Sequence, residues 1–172
     1  RIYYVAEALR RGMSVEDVHA LNNIDPWFLN RINDIVKAER VIAAKGLDGL
    51  DATTMRQVKA MGFSDRQVAW LTKSDEDTVR ARRHELGVVP NIKTVDTCAG
   101  EFPARTSYHY KTYEGQGVSE FREADRPRAI ILSAGPNRIG QGIEFDYCCC
   151  HAAYALHDQG YETVMINCNP ET

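Results

Sequence analysis

Apolar residues recur three and four positions apart through most of the first ninety residues, the period of helices with one buried face. The stretch "IYYVAEALRRG" opens as a helix already under way at Arg1. Ser14 precedes "VEDVHALNN" as an N-cap, and Asp17 three residues later makes an imperfect capping box. Asp25 and Pro26 predict a strong start, because Asp25 can cap while Pro26 lacks only an N–H that the first turn leaves unbonded. Phe28, Ile32, Ile35, Val36, Val41 and Ile42 then follow helical spacing up to Gly46. Three shorter helices obey the same rules: Asp51 to Gly62, "DRQVAWLT" after Ser64, and "DEDTVRARRHELG" opened by Ser74 and closed by Gly87. This spacing places most of Trp27, Phe28, Leu29 and Trp70 in the core, and any left outside would suit self-association.

Beyond Val88 the pattern becomes extended and punctuated by proline, with strand-like alternation in "SYHYKTY". Residues 115–128 are polar, charged and interrupted by Gly115, Gly117 and Pro127, as a surface crossing between two units would be. From Ala129 the pattern changes again. "AIILSAG" reads as a strand buried on both faces, Phe145, Cys148, Cys149, Ala152 and Leu156 as one face of a helix closed by Gly160, and "ETVMIN" as a second buried strand. Strand, glycine loop, helix and strand make a βαβ unit. The expected fold is therefore mixed: an all-α domain over 1–112 with an extended C-terminal segment, a connector over 113–128, and a partial α/β unit over 129–172. No internal repeat stands out. Both ends look like cuts through a longer chain, since Arg1 opens within a helix and "CNPET" closes on a polar turn.

The 172 residues carry a formal charge of −3, which gives no overall electrostatic attraction to nucleic acid or anionic membrane. No run reaches the roughly 18 apolar residues of a spanning helix, and no signal peptide opens the chain, so a soluble cytoplasmic protein is expected. The five cysteines, Cys98, Cys148, Cys149, Cys150 and Cys168, are odd in number and three are adjacent, which argues against a disulfide framework. No paired C-x-x-C suggests structural zinc. The triplet beside His151 reads as small core residues rather than metal ligands.

The chemistry-bearing stretch is "GPNRIGQG", Gly135 to Gly142. A loop after the first strand of a βαβ unit lies at the carboxyl edge of the sheet, where open α/β folds bind ligands. Gly135 and Gly140 permit close backbone approach, Asn137 and Gln141 offer donors, and Arg138 adds a permanent charge. Together with the N–H groups of the following helix these form an anion-binding loop. The dinucleotide pattern fails because Pro136 and Asn137 follow Gly135, and the P-loop pattern fails because Gln141 and Gly142 replace Lys and Ser/Thr. Spacing alone leaves a simple strand-to-helix turn as an equal alternative.

The longer strings "GPNRIGQGIEFDYCC" and "HAAYALHDQGYETVMINCNPET" resemble the start of the second synthetase half of the carbamoyl phosphate synthetase large chain. Upstream, "VAEALRRGMSVEDVH", "IDPWFL" and "VDTCAGEF" resemble the oligomerisation domain that precedes it in that family. The likeness runs through essentially the whole sequence, departing at Cys150, where an aliphatic residue is expected, and at Gly100, where alanine is. It implies part of an ATP-grasp ligase that makes carbamoyl phosphate from bicarbonate and ammonia for arginine and pyrimidine synthesis. ATP and Mg²⁺ or Mn²⁺ would serve the full enzyme and bind outside this chain, which alone would be inactive and would hold no catalytic residue or metal. The partners implied are the remainder of the large chain, a glutaminase small subunit, and further copies through the helical domain. The βαβ segment would belong to a Rossmann-like pre-ATP-grasp subdomain. By the same resemblance Arg138, Gly142, Glu144 and Glu171 line the exit of a carbamate tunnel. Glu144 could equally serve only the helix dipole, and Glu171 only a solvated turn.

A second class of reading comes from "FSDRQVAWLTKSDEDTVRARRHELG", two short helices whose Arg80, Arg82 and Arg83 could form the basic stripe of a helix-turn-helix. Asp75, Glu76, Asp77 and Glu85 dilute that stripe, so nucleic acid is not an expected partner.

Overall fold

The computed structural model describes residues 1–114, 119–121, 124–133 and 144–166, with side chains of the last segment described from Tyr147 onward. It divides into two compact units, Arg1–Phe121 and Arg122–Thr172.

The first unit contains helices α1 (Ile2–Arg10), α2 (Val15–Asn22), α3 (Pro26–Lys45), α4 (Ala52–Ala60), α5 (Asp65–Thr72) and α6 (Glu76–Glu85). From α2 to α6 each start is set by a local side chain, whereas α1 has no side-chain cap. Ser14 accepts from the Asp17 N–H at 3.0 Å, and Asp17 in turn accepts from the Ser14 N–H at 3.4 Å, so the capping box is reciprocal. Asp25, Asp51 and Ser64 cap α3, α4 and α5 by accepting from the N–H groups of Trp27, Thr54 and Gln67. The last helix corrects the expected cap: Asp75, not Ser74, accepts from Thr78 N–H at 2.9 Å. The Ser74 N–H is already committed to Ala69 O at 2.9 Å, finishing α5.

α3 has 20 residues, about 30 Å at the helical rise, and it serves two cores. Its Leu29 and Val36 pack with Val5, Leu9, Val15 and Val18, whereas its Ile42 packs with Leu50, Met55, Val58, Phe63, Val68, Val79 and Val88. At the first core, Arg10 grips Glu39 through two hydrogen bonds of 2.7 and 2.9 Å, and Arg40 donates to the carbonyls of Leu9 and Arg10 that end α1. Trp27 and Trp70 correct the expected burial. They are 63% and 76% exposed, and Phe28 is exposed beside Trp27, while Leu29 is fully enclosed. Three consecutive helical residues cannot share one buried stripe, and here the stripe passes through Leu29.

The unit also contains a repeat that reading along the chain did not expose. A shift of 50 in residue number carries α1 onto α4, α2 onto α5, and the start of α3 onto that of α6. Gly12, Ser14, Val18, Leu21 and Asp25 recur as Gly62, Ser64, Val68, Leu71 and Asp75. Gly12 and Gly62 have φ of 96° and 95°, and Asn23 and Lys73 both have φ of 56°. The conserved quantities are turn geometry and burial; side-chain identity has mostly diverged, which is why the repeat is faint in sequence.

Strand β1 (Asn91–Thr94) pairs antiparallel with β2 (His109–Thr112), Asn91 opposite Thr112 and Thr94 opposite His109. Glu120 fastens this hairpin by accepting from the Thr94 N–H at 2.8 Å and from Lys93 Nζ at 3.0 Å. Those bonds hold its carboxyl below the usual range.

In the second unit β3 (Arg128–Leu132) and β4 (Glu162–Ile166) run parallel, joined through α7 (Glu144–Asp158). Burial on both faces of β3 was expected and does not hold. Ile130 and Leu132 are 63% and 78% exposed, because the described elements include one helix and it covers one face of the two-stranded sheet. Among the described side chains of α7, Cys149, Cys150, Ala153 and Leu156 are partly buried, replacing the expected Cys148 and Ala152, which are exposed; the expected Phe145 lies outside the described side chains.

Candidate functional site

Gly135, Asn137, Gly140 and Gln141, expected to form an anion-binding loop, and Arg138, Gly142 and Glu171, expected at the tunnel exit, lie outside the described residues. Glu144 is the first residue of α7, and its side chain is likewise outside them. The described flanks fix where these segments begin. Leu132 and Ile166 face each other in register at the ends of β3 and β4, and the Ser133 N–H donates to Ile166 O at 3.0 Å. β3 and β4 therefore end at the same carboxyl edge, the edge at which open α/β sheets bind ligands. At the opposite edge Arg128 pairs with Glu162 at 3.2 Å. Cys149 Sγ lies 3.6 Å from Ser133 Oγ, bringing α7 against the end of β3. Tyr147, His151 and Tyr154 stack along the exposed side of α7. Cys98, Cys148, Cys149 and Cys150 are free thiols. Among the described residues no three His, Cys, Asp or Glu side chains gather as a metal site.

A second constellation, in the first unit, was not singled out from sequence. Lys59 on α4 reaches Asp65 at the start of α5 at 2.7 Å, and Arg83 on α6 reaches the same carboxylate at 3.1 Å. Lys59 also donates to Phe63 O at 2.6 Å, and Arg83 to Val88 O at 2.8 Å. The ring of Tyr113 lies over both cations, 5.3 Å from Lys59 Nζ and 5.8 Å from the Arg83 guanidinium carbon. Burial pushes the Asp65 carboxyl up, but the hydrogen bonds and charges of Lys59 and Arg83 outweigh it and hold the group below its ordinary value. Burial pushes the Tyr113 phenol up. Beside this cluster is a cavity of about 370 Å³ lined by Lys59, Lys111, Ser64 and Tyr113 among others. The 50-residue shift would have flagged it, because it sets Lys59 and Asp65 on the apolar Leu9 and Val15.

The same contacts dismantle the basic stripe. Arg80 pairs with Glu76 and Asp77, Arg82 with Glu85, and Arg83 is buried against Asp65. None of the three is a free cation for a phosphate backbone. No helix among the described residues is long and apolar enough to cross a membrane.

Comparison with known proteins gives two family matches in chain order. Residues 1–87 match the carbamoyl-phosphate synthetase large chain oligomerisation domain, and residues 125–172 match the carbamoyl phosphate synthase preATP-grasp domain. Proteins named carbamoyl phosphate synthase large chain align with the whole of this chain at 53% identity in Synechocystis sp., 55% in Nostoc sp. and 54% in Pseudomonas syringae pv. tomato. The chain spans 15–16% of the length of these relatives.

Proposed function

The chain belongs to the carbamoyl phosphate synthetase large-chain family, and from that premise we propose that it works as part of an ATP-dependent ligase forming carbamoyl phosphate from bicarbonate and glutamine-derived ammonia. The helical domain, 1–112, serves self-association. The connector over 113–128 leads into 129–172, the opening βαβ of a Rossmann-like pre-ATP-grasp subdomain. What supports this reading is the succession of the two family matches within a chain whose whole length aligns to part of its relatives.

In this reading Arg138 draws an anionic carbamate toward the carboxyl edge of the sheet, and Gly142, lacking a side chain, leaves the passage open. Glu144 and Glu171 border it as acids. The ATP and Mg²⁺ or Mn²⁺ sites belong to the remainder of the large chain, so the 172 residues alone have no activity. A glutaminase subunit supplies the ammonia, and the enzyme is cytoplasmic.

Replacing Gly142 by tryptophan in the complete enzyme tests the passage. Carbamoyl phosphate formation should fall while bicarbonate-dependent ATP hydrolysis continues; a proportional fall in both would overturn the tunnel role. Sedimentation of this chain over a concentration series tests self-association, and a strict monomer at every concentration would remove it.

A further inference from the structure

We propose that the cavity between the α4–α5 turn and Tyr113 is a phosphate-binding site built on Lys59 and Lys111, independent of the carbamate passage. Three observations carry this. First, both charged residues lining the cavity are lysines, and no carboxylate lines it. Lys111, on β2, makes no ion pair among the described residues. Lys59 is 7% exposed, and its hydrogen bonds to Phe63 O and Asp65 Oδ1 occupy two of the three protons of an ammonium.

Second, the charge is not balanced within the cluster. Lys59 and Arg83 share the single carboxylate of Asp65, leaving one positive charge in excess beneath the Tyr113 ring. An excess buried cation is costly unless an anion compensates it.

Third, the fold supplies its own control. The α1–α2 turn has the same glycine geometry and the same serine cap as the α4–α5 turn, yet carries Leu9 and Val15 where Lys59 and Asp65 stand. The turn therefore forms without charge in the first repeat, so turn geometry alone does not call for the lysine. The cavity also opens at the Ser64 end of α5, where the helix dipole is positive. A phosphate group carries nearly two negative charges near neutral pH, which suits two lysines better than a single carboxylate would.

The ligand could be free phosphate or the phosphate of a small ester, and titration calorimetry of the 172-residue chain at constant ionic strength separates them. Saturable binding of inorganic phosphate or of glycerol phosphate supports the site, and the tighter of the two identifies the source. Lys111→Ala, on an exposed strand position, should stay folded and weaken binding about tenfold, the loss of one charge-assisted hydrogen bond. Arg66→Ala, also basic and exposed on α5 but outside the cavity lining, should leave it unchanged. Absence of saturable binding by either ligand, or a Lys111→Ala chain that binds as tightly as the parent, overturns the proposal.

Discussion

Lys59 Nζ and Asp65 Oδ1 meet at 2.7 Å with side chains 6% and 10% exposed, at the positions that carry Leu9 and Val15 in the first helical repeat. An apolar contact and an ion pair thus serve equivalent turns of one unit. The ion pair loses hydration that the apolar pair never had, and it recovers this only because Phe63 O, Arg83 and Tyr113 complete its surroundings.

Removing one partner should therefore be severe. Asp65→Val leaves Lys59 and Arg83 as unpaired neighbours and is expected to cost about 3–5 kcal/mol in urea unfolding. Adding Lys59→Leu, which restores the pairing of the first repeat, should recover part of that loss, with a coupling energy of roughly 0.5–3 kcal/mol. Strictly additive losses would show that the two side chains do not act together.

The same carboxylate gives a pH dependence of defined sign. Asp65 is held below the unfolded aspartate value of about 3.9. Its contribution is thus fully present above the unfolded value and fades as pH falls through the lower folded one. The stability difference between the parent and Asp65→Asn should stay level from neutrality down to about pH 5 and shrink below about pH 4. A difference that grew on acidification would contradict the assignment.

Gly12 and Gly62 test the repeat itself. Both have φ near 95°, and a Cβ built at either meets nothing within 4 Å. Alanine should therefore cost only the strain of the left-handed backbone, about 1–2 kcal/mol at each site. Thermal unfolding of the two variants should give similar losses. A large disparity would mean that the turns are not equivalent.

Within "WFL", Trp27 and Leu29 should respond in opposite ways. Leu29→Ala opens a cavity in the first core and should cost roughly 2–5 kcal/mol. Trp27→Ser and Trp70→Ser change exposed positions and should alter monomer stability by no more than about 0.5 kcal/mol. Urea unfolding at low protein concentration distinguishes these outcomes. If Trp27 serves self-association, its replacement should show instead in sedimentation.

Sequence by itself located the helix starts and stops at Ser14, Asp25, Asp51, Ser64, Gly46 and Gly62, because a cap is a bond between residues two to four apart. It also placed the strand–helix–strand order after Ala129, since apolar runs and their glycine breaks are local too. Tertiary structure alone decided which of Trp27, Phe28 and Leu29 was enclosed, and which face of β3 stayed uncovered. It alone joined Asp65 to Arg83, 18 residues away, and brought Tyr113 over both cations. Those outcomes depend on segments distant in the chain meeting at one place, and no short window of residues contains both sides of such a contact.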